Sequence, residues 1–243
     1  AALGMPLFES DECGTNVMIL EPHFGERTPL QAVNLMAENI LWYFWPKLML
    51  QKTGYPAMSV DIVWQGHKID IPSPETYPPL RGFVQAMYYA KDRSAFGDEN
   101  LHQRIRVLSS VRPKQVLGTF ALQESPLSDQ TAFDTGVQPR EGNFAALYHH
   151  TALMRQPELV VKYLSGPPLE NRTKGYAGVF ITDQELDNVF ASAEPPTHDD
   201  WAASTLEVRH HRTFVNQALK QIEREMNDFA SLQNTEEQNI SES

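Results

Sequence analysis

The sequence predicts an α+β fold: a mixed, mostly antiparallel sheet with helices packed on one side, ending in a long C-terminal helix. Three observations carry this expectation. Apolar runs rich in β-branched and aromatic residues recur at strand length (57–64, 116–123, 159–164, 176–181). Two pairs of runs are joined by tight turns, which makes hairpins and therefore antiparallel pairing. Stretches with helical spacing of apolar residues interrupt and then close the chain, the last over about 206–229.

Taken in order, residues 15–20 read as a short strand, followed by the turn Glu21-Pro22-His23-Phe24-Gly25. Thr28-Pro29 is a helix start, with a capping hydroxyl and proline at the first helical position. That helix reaches about Pro46, and Trp42, Tyr43, Phe44 and Trp45 crowd its end, which predicts burial on most sides. Residues 57–64 form a strand, Gln65-Gly66-His67 a turn, and 68–71 a short antiparallel return. Pro72, Pro74, Pro78 and Pro79 break the chain before a helix over about 80–90.

Residues 91–100 read as a loop, 116–123 as a strand and 125–142 as a long polar loop. Strands at 144–154 and 159–164 flank Gln156-Pro157-Glu158 as a hairpin turn. A polar loop over 166–175 leads to the strand at 176–181, and Asp183 caps a short helix over 184–193. Glu194-Pro195-Pro196-Thr197-His198-Asp199-Asp200-Trp201 is a stiff turn before the last helix, and the polar residues 233–243 are expected to be a disordered tail.

With 243 residues, 41% of them hydrophobic, the chain has material for one large domain or two small ones. A net charge of −11 repels phosphate backbones and makes the chain a poor candidate for a general nucleic-acid binder. Arg104, Arg106, Arg112 and Lys114 are the candidates for a local basic patch, with Arg209 and Arg212 as a second group. The most apolar segment, 40–50, contains Pro46 and Lys47 and is too short to span a bilayer, so no membrane association is expected. Cys13 is the single cysteine, which excludes an internal disulfide and agrees with a cytoplasmic location.

The motif that stands out is Gly14-Thr15-Asn16-Val17-Met18-Ile19, a Gly-Thr pair opening an apolar strand. It resembles a late strand of the GHKL ATPases, the family of DNA gyrase, a heat-shock chaperone family, histidine kinases and MutL. Further stretches are similar to the C-terminal region of large bacterial members of that family. They are Arg155-Gln156-Pro157-Glu158-Leu159-Val160-Val161-Lys162-Tyr163-Leu164, Tyr176-Ala177-Gly178-Val179-Phe180, and Ala193 through Trp201 with the basic helix that follows. The Asp-x-Gly-x-Gly adenine motif, the Gly-rich lid and the helix bearing the family's catalytic Glu and metal-binding Asn are not present; Glu38-Asn39 has the wrong spacing and order.

The resemblance implies that residues 1–72 are the end of an ATPase fold or its junction, and 73–232 a transducer-like domain. Gly14 and Thr15 would be a remnant of the nucleotide site. ATP and Mg2+ would be bound by a longer protein containing an N-terminal ATPase half, and this chain alone would hold no cofactor. Its partners would be that half and a homodimer mate or other protein. In that picture a basic loop residue reaches the γ-phosphate and senses hydrolysis. Lys174, between Gly166 and Gly175, is the candidate, since a lysine is a compact charge on a long stem.

Two alternatives stand beside this. One is a non-catalytic binding or scaffolding protein using the loops 125–142 and 166–175. The other is a metal-dependent hydrolase in which His198, Asp199 and Asp200 converge with another histidine, since imidazole and carboxylate suit zinc, iron or manganese. The other histidine pairs, His149-His150 and His210-His211, diverge on a strand or a helix. A structural account of the turn also exists: Pro195-Pro196 stiffen it, an aspartate caps, and Trp201 fills the core.

Overall fold

The computed structural model describes residues 19–92, 100–128, 132–136 and 148–241, with side chains to residue 235. Gly14 and Thr15 lie outside the described residues. Of the strand expected at 15–20, only Ile19 and Leu20 are described; both are exposed and in no strand.

Helix α1 spans Pro29–Leu48 and starts where the sequence places it. The Gln31 backbone N–H donates to Thr28 Oγ1 at 3.3 Å, and Thr28 N–H donates to Gln31 Oε1 at 3.0 Å, a reciprocal capping box. Pro46 lies inside the helix and has no N–H, so the carbonyl of Trp42 loses its helical donor. The Tyr163 hydroxyl donates to that carbonyl, while Trp45 Nε1 donates to the same hydroxyl oxygen at 3.2 Å. The proline that should weaken the helix thus becomes its attachment point to the sheet.

Strands β1 (Ile62–Trp64) and β2 (His67–Ile69) form the expected hairpin. Gln65 and Gly66 both take positive φ, 49° and 81°, as a two-residue hairpin turn with the correct twist requires. Helix α2 (Arg81–Lys91) follows the proline cluster.

Among the described residues five strands make the main sheet: β3 (Gln103–Val111), β4 (Lys114–Pro126), β5 (His150–Met154), β6 (Val160–Ser165) and β7 (Lys174–Thr182). Their spatial order is β3-β4-β7-β5-β6. All neighbours pair antiparallel except β5 with β7, which are parallel. A short helix α3 (Asp187–Ser192) and the long α4 (Arg209–Ser241) complete the fold. The α+β class, the mostly antiparallel mixed sheet and the long terminal helix are therefore all present. Strand β3 is an addition, because its alternating arginines hid the strand pattern. Helix α4 also continues through the polar stretch expected to be a tail.

Alternation along the strands sorts buried side chains into two clusters. Phe120, Leu122, Leu153 and Phe180 point to the side of α3 and α4, where Val215, Ala218, Ile222, Met226 and Phe229 supply a helical stripe. Ala121, Ala152, Met154 and Val179 point the other way, and that second face is filled by Leu41, Trp42 and Trp45 of α1 and Phe83 and Met87 of α2. Small side chains on this second face let α2 come close. A Cβ on Gly82 would stand 2.8 Å from the Cβ of Ser125 and 2.9 Å from that of Ala177.

Candidate functional site

Two of the stretches singled out in the sequence, 155–164 and 193–201, come together around one cleft of about 460 Å³. Tyr43 and Phe44 of α1, Pro157 of the β5–β6 turn, Leu159 just before β6, Val161 within it, and Thr197, His198 and Asp199 line it. Its inner wall is apolar and its rim is polar.

Glu194 organises the rim. It follows the C-terminal end of α3, where its N–H donates to the Ala191 carbonyl at 3.2 Å. Its carboxylate is almost fully buried, ion-pairs with Arg155 Nε at 2.6 Å and is hydrogen-bonded to His198 Nδ1 at 2.8 Å. Arg155 spans further to Asp187 Oδ2 at 3.1 Å, whose other oxygen accepts the Gln156 N–H at 2.8 Å. The guanidinium fork is suited to holding two carboxylates in fixed directions. This chain of pairs fastens the β5–β6 turn to α3 and to the proline turn.

His198 sits at φ 53°, a left-handed conformation that the tight turn after Pro195-Pro196 imposes; its N–H donates to the Pro195 carbonyl at 2.9 Å. Its neighbours take different partners. Asp199 accepts the Thr197 hydroxyl at 2.5 Å. Asp200 accepts Lys162 Nζ and the Trp201 N–H, each at 2.8 Å. Burial works to raise the Asp200 pKa, but the Lys162 ammonium and the Trp201 N–H outweigh it and hold the carboxyl below its ordinary range. Trp201 fills the core against Phe190 and Phe180, at ring distances of 4.6 and 6.0 Å. On the opposite wall, burial first and the Asp199 charge second raise the pKa of the Tyr43 hydroxyl, keeping it neutral.

The expected convergence of His198, Asp199 and Asp200 is therefore not what the turn builds. The three side chains diverge to Glu194, Thr197 and Lys162. Among the described residues no group of three His, Cys, Asp or Glu side chains is placed to hold a metal ion. His149 instead packs on Tyr176, and His210 and His211 stack beside Phe214 at the start of α4.

Lys174 opens β7, opposite Pro126, so it begins a strand rather than riding a loop. Its Nζ lies 3.2 Å from Glu124 Oε1, and Glu124 Oε2 meets His102 Nδ1 at 3.0 Å. The cleft adjoins the other end of β7, where Gln156 Nε2 donates to the Thr182 carbonyl at 2.5 Å. The length of β7 separates Lys174 from it, about 26 Å at the usual rise per strand residue.

The proposed basic patch is also rearranged. Arg104 and Arg106 turn toward α4 and meet Glu225 at 3.1 and 3.6 Å. Sequence reasoning missed Glu225 and Asp187, and saw Glu194 only as part of a family-like stretch. The one local hint at Glu225 is a carboxylate within the apolar stripe of α4, between Ile222 and Phe229.

Comparison with protein-family models, with curated proteins and with solved structures finds no match to this chain. Among the described residues no helix is long and apolar enough to cross a membrane.

Proposed function

We propose that this chain is the coupling region of a GHKL-type ATP-binding protein, relaying nucleotide state to a partner or dimer interface. The observation that carries the reading is a set of exposed apolar side chains at the start of the described residues, against which the N-terminal ATPase half would pack. Ile19, Leu20, Leu30 and Met36 expose 74, 71, 46 and 59% of their surface within one short stretch. Covering such side chains with a partner would remove apolar surface from water, which favours association. A second support is that the family-like stretches close on one another through Arg155–Glu194, Lys162–Asp200 and the Phe180–Trp201 contact. They behave as one structural unit and not as scattered likenesses. The pairing of every charged group of the His198 turn into structural bonds favours transmission of movement over catalysis at that turn.

In this reading ATP and Mg2+ bind in the ATPase half, and Lys174 reaches the γ-phosphate by exchanging Glu124 for it. The test is ATP turnover by the natural polypeptide that contains this chain, with Lys174→Ala beside it. Turnover is expected, and the variant should slow it about tenfold, the equivalent of one charge-assisted contact, with nucleotide binding and Tm kept. A natural polypeptide that neither binds nor hydrolyses ATP overturns the proposal. Unchanged turnover in the variant removes Lys174 from it.

A further inference from the structure

A second cleft, of about 770 Å³, lies beyond the β5–β6 turn, where the C-terminal ends of α1 and α2 meet. Its size falls within the range of about 300–1,000 Å³ usual for small-molecule sites. Leu50 and Tyr88 give it apolar and aromatic wall, and three lysines face two carboxylates around it. The local balance is therefore one positive charge, on a protein whose net charge is −11.

Two of the lysines converge on one oxygen. Lys91 Nζ lies 2.8 Å and Lys47 Nζ 3.8 Å from Glu158 Oε2. Each lysine occupies the last turn of its helix, α2 and α1, so both are anchored in rigid elements. Glu158 belongs to the turn and not to a regular element. It sits at φ 56°, its N–H bonded to the Arg155 carbonyl at 2.9 Å. A left-handed backbone is unfavourable for a non-glycine residue, because its Cβ crowds the following carbonyl oxygen. That cost is carried in a turn whose side chain delivers a carboxylate between two ammonium groups. The third lysine, Lys52, makes no ion pair among the described residues and stands at the rim.

We propose that this cleft binds a small aromatic monoanion, a carboxylate or sulfonate, and that Glu158 occupies the anion position when the cleft is empty. The ligand's charged head takes the place of the Glu158 carboxylate between Lys47 and Lys91. Its ring lies against Tyr88 and Leu50. One negative charge matches the local balance. Glu158 acts as an internal competitor, and its side chain swings out of the lysine pair while the turn stays fastened through Arg155 and Gln156.

The test uses the whole chain and two fluorescent probes, anionic 8-anilinonaphthalene-1-sulfonate and neutral N-phenyl-1-naphthylamine. The anionic probe is expected to bind once per chain and more tightly than the neutral one. Glu158→Gln should tighten it about tenfold, and Lys91→Ala or Lys47→Ala should weaken it about tenfold, the neutral probe being unaffected. Circular dichroism and Tm confirm that each variant is folded. If the pairs served only to staple the turn to the helices, Glu158→Gln would lower Tm without tightening the anionic probe, and that result overturns the proposal. So does binding of several anionic probes per chain with no response to the lysine variants.

Discussion

Gly82 shows how much one missing side chain can decide. Alanine there is favoured by helix propensity by about 1 kcal/mol. Against this, its methyl group would press on the Cβ atoms of Ser125 and Ala177, which are fixed to the sheet and cannot swing aside. Overpacking of this kind costs about 1–3 kcal/mol, so the clash prevails. Gly82→Ala is expected to lower the urea midpoint, with a net loss of about 1 kcal/mol and an unchanged m-value. Tyr163 makes the same point with a hydroxyl. It repairs the carbonyl that Pro46 leaves bare, and burial holds its pKa well above the ordinary 10.

Between elements, the contact of α4 with the edge strand β3 rests on a charge. Glu225, almost fully buried, receives Arg104 and Arg106, and the Arg104 guanidinium also lies 6.0 Å over the Phe229 ring. Removing one partner of such a cluster strands the other, which costs about 3–5 kcal/mol, whereas an apolar replacement of both is close to neutral. Glu225→Ala is therefore expected to lose about 3 kcal/mol in chemical denaturation. Glu225→Leu combined with Arg104→Met should recover most of it. A double variant as unstable as the single one would show that the packing of α4, and not the ion pair, holds the edge.

Over the whole molecule, stability should depend on pH through two histidines beside β5. Burial, the largest effect on each, lowers the pKa of both His149 and His150 below the ordinary 6.5. His149 Nε2 accepts the Leu169 N–H at 3.3 Å and must be unprotonated to do so. Below pH 6.5 the unfolded chain takes up protons that the folded chain refuses, so stability falls as pH drops from 7 towards 5. Tm scans should show this fall, and a His149→Gln, His150→Gln double variant should flatten it. An equal slope in both proteins would remove these histidines from the account.

Local signals carried a good part of this fold. The capping pair Thr28-Pro29, the Gln65-Gly66 turn, the Asp183 cap and the apolar stripe of α4 each depend on residues a few positions apart, and each is where its chemistry puts it. Strand β3 was not legible, because Arg104 and Arg106 make its inward face look like surface until Glu225, 121 residues away from Arg104, is brought against it. The His198 turn was visible as a cluster, but its partners were not. Glu194 and Arg155 are 39 residues apart, and Lys162 and Asp200 are 38 apart. By itself, then, the sequence determined the class of fold, the helix starts and turns, and which faces are apolar, since these follow from short-range sterics and periodicity. The tertiary structure alone decided the order β3-β4-β7-β5-β6, the dispersal of His198, Asp199 and Asp200, and the two clefts. The reason is physical: a charge chooses its partner by distance in space, and that distance exists only after the sheet has closed.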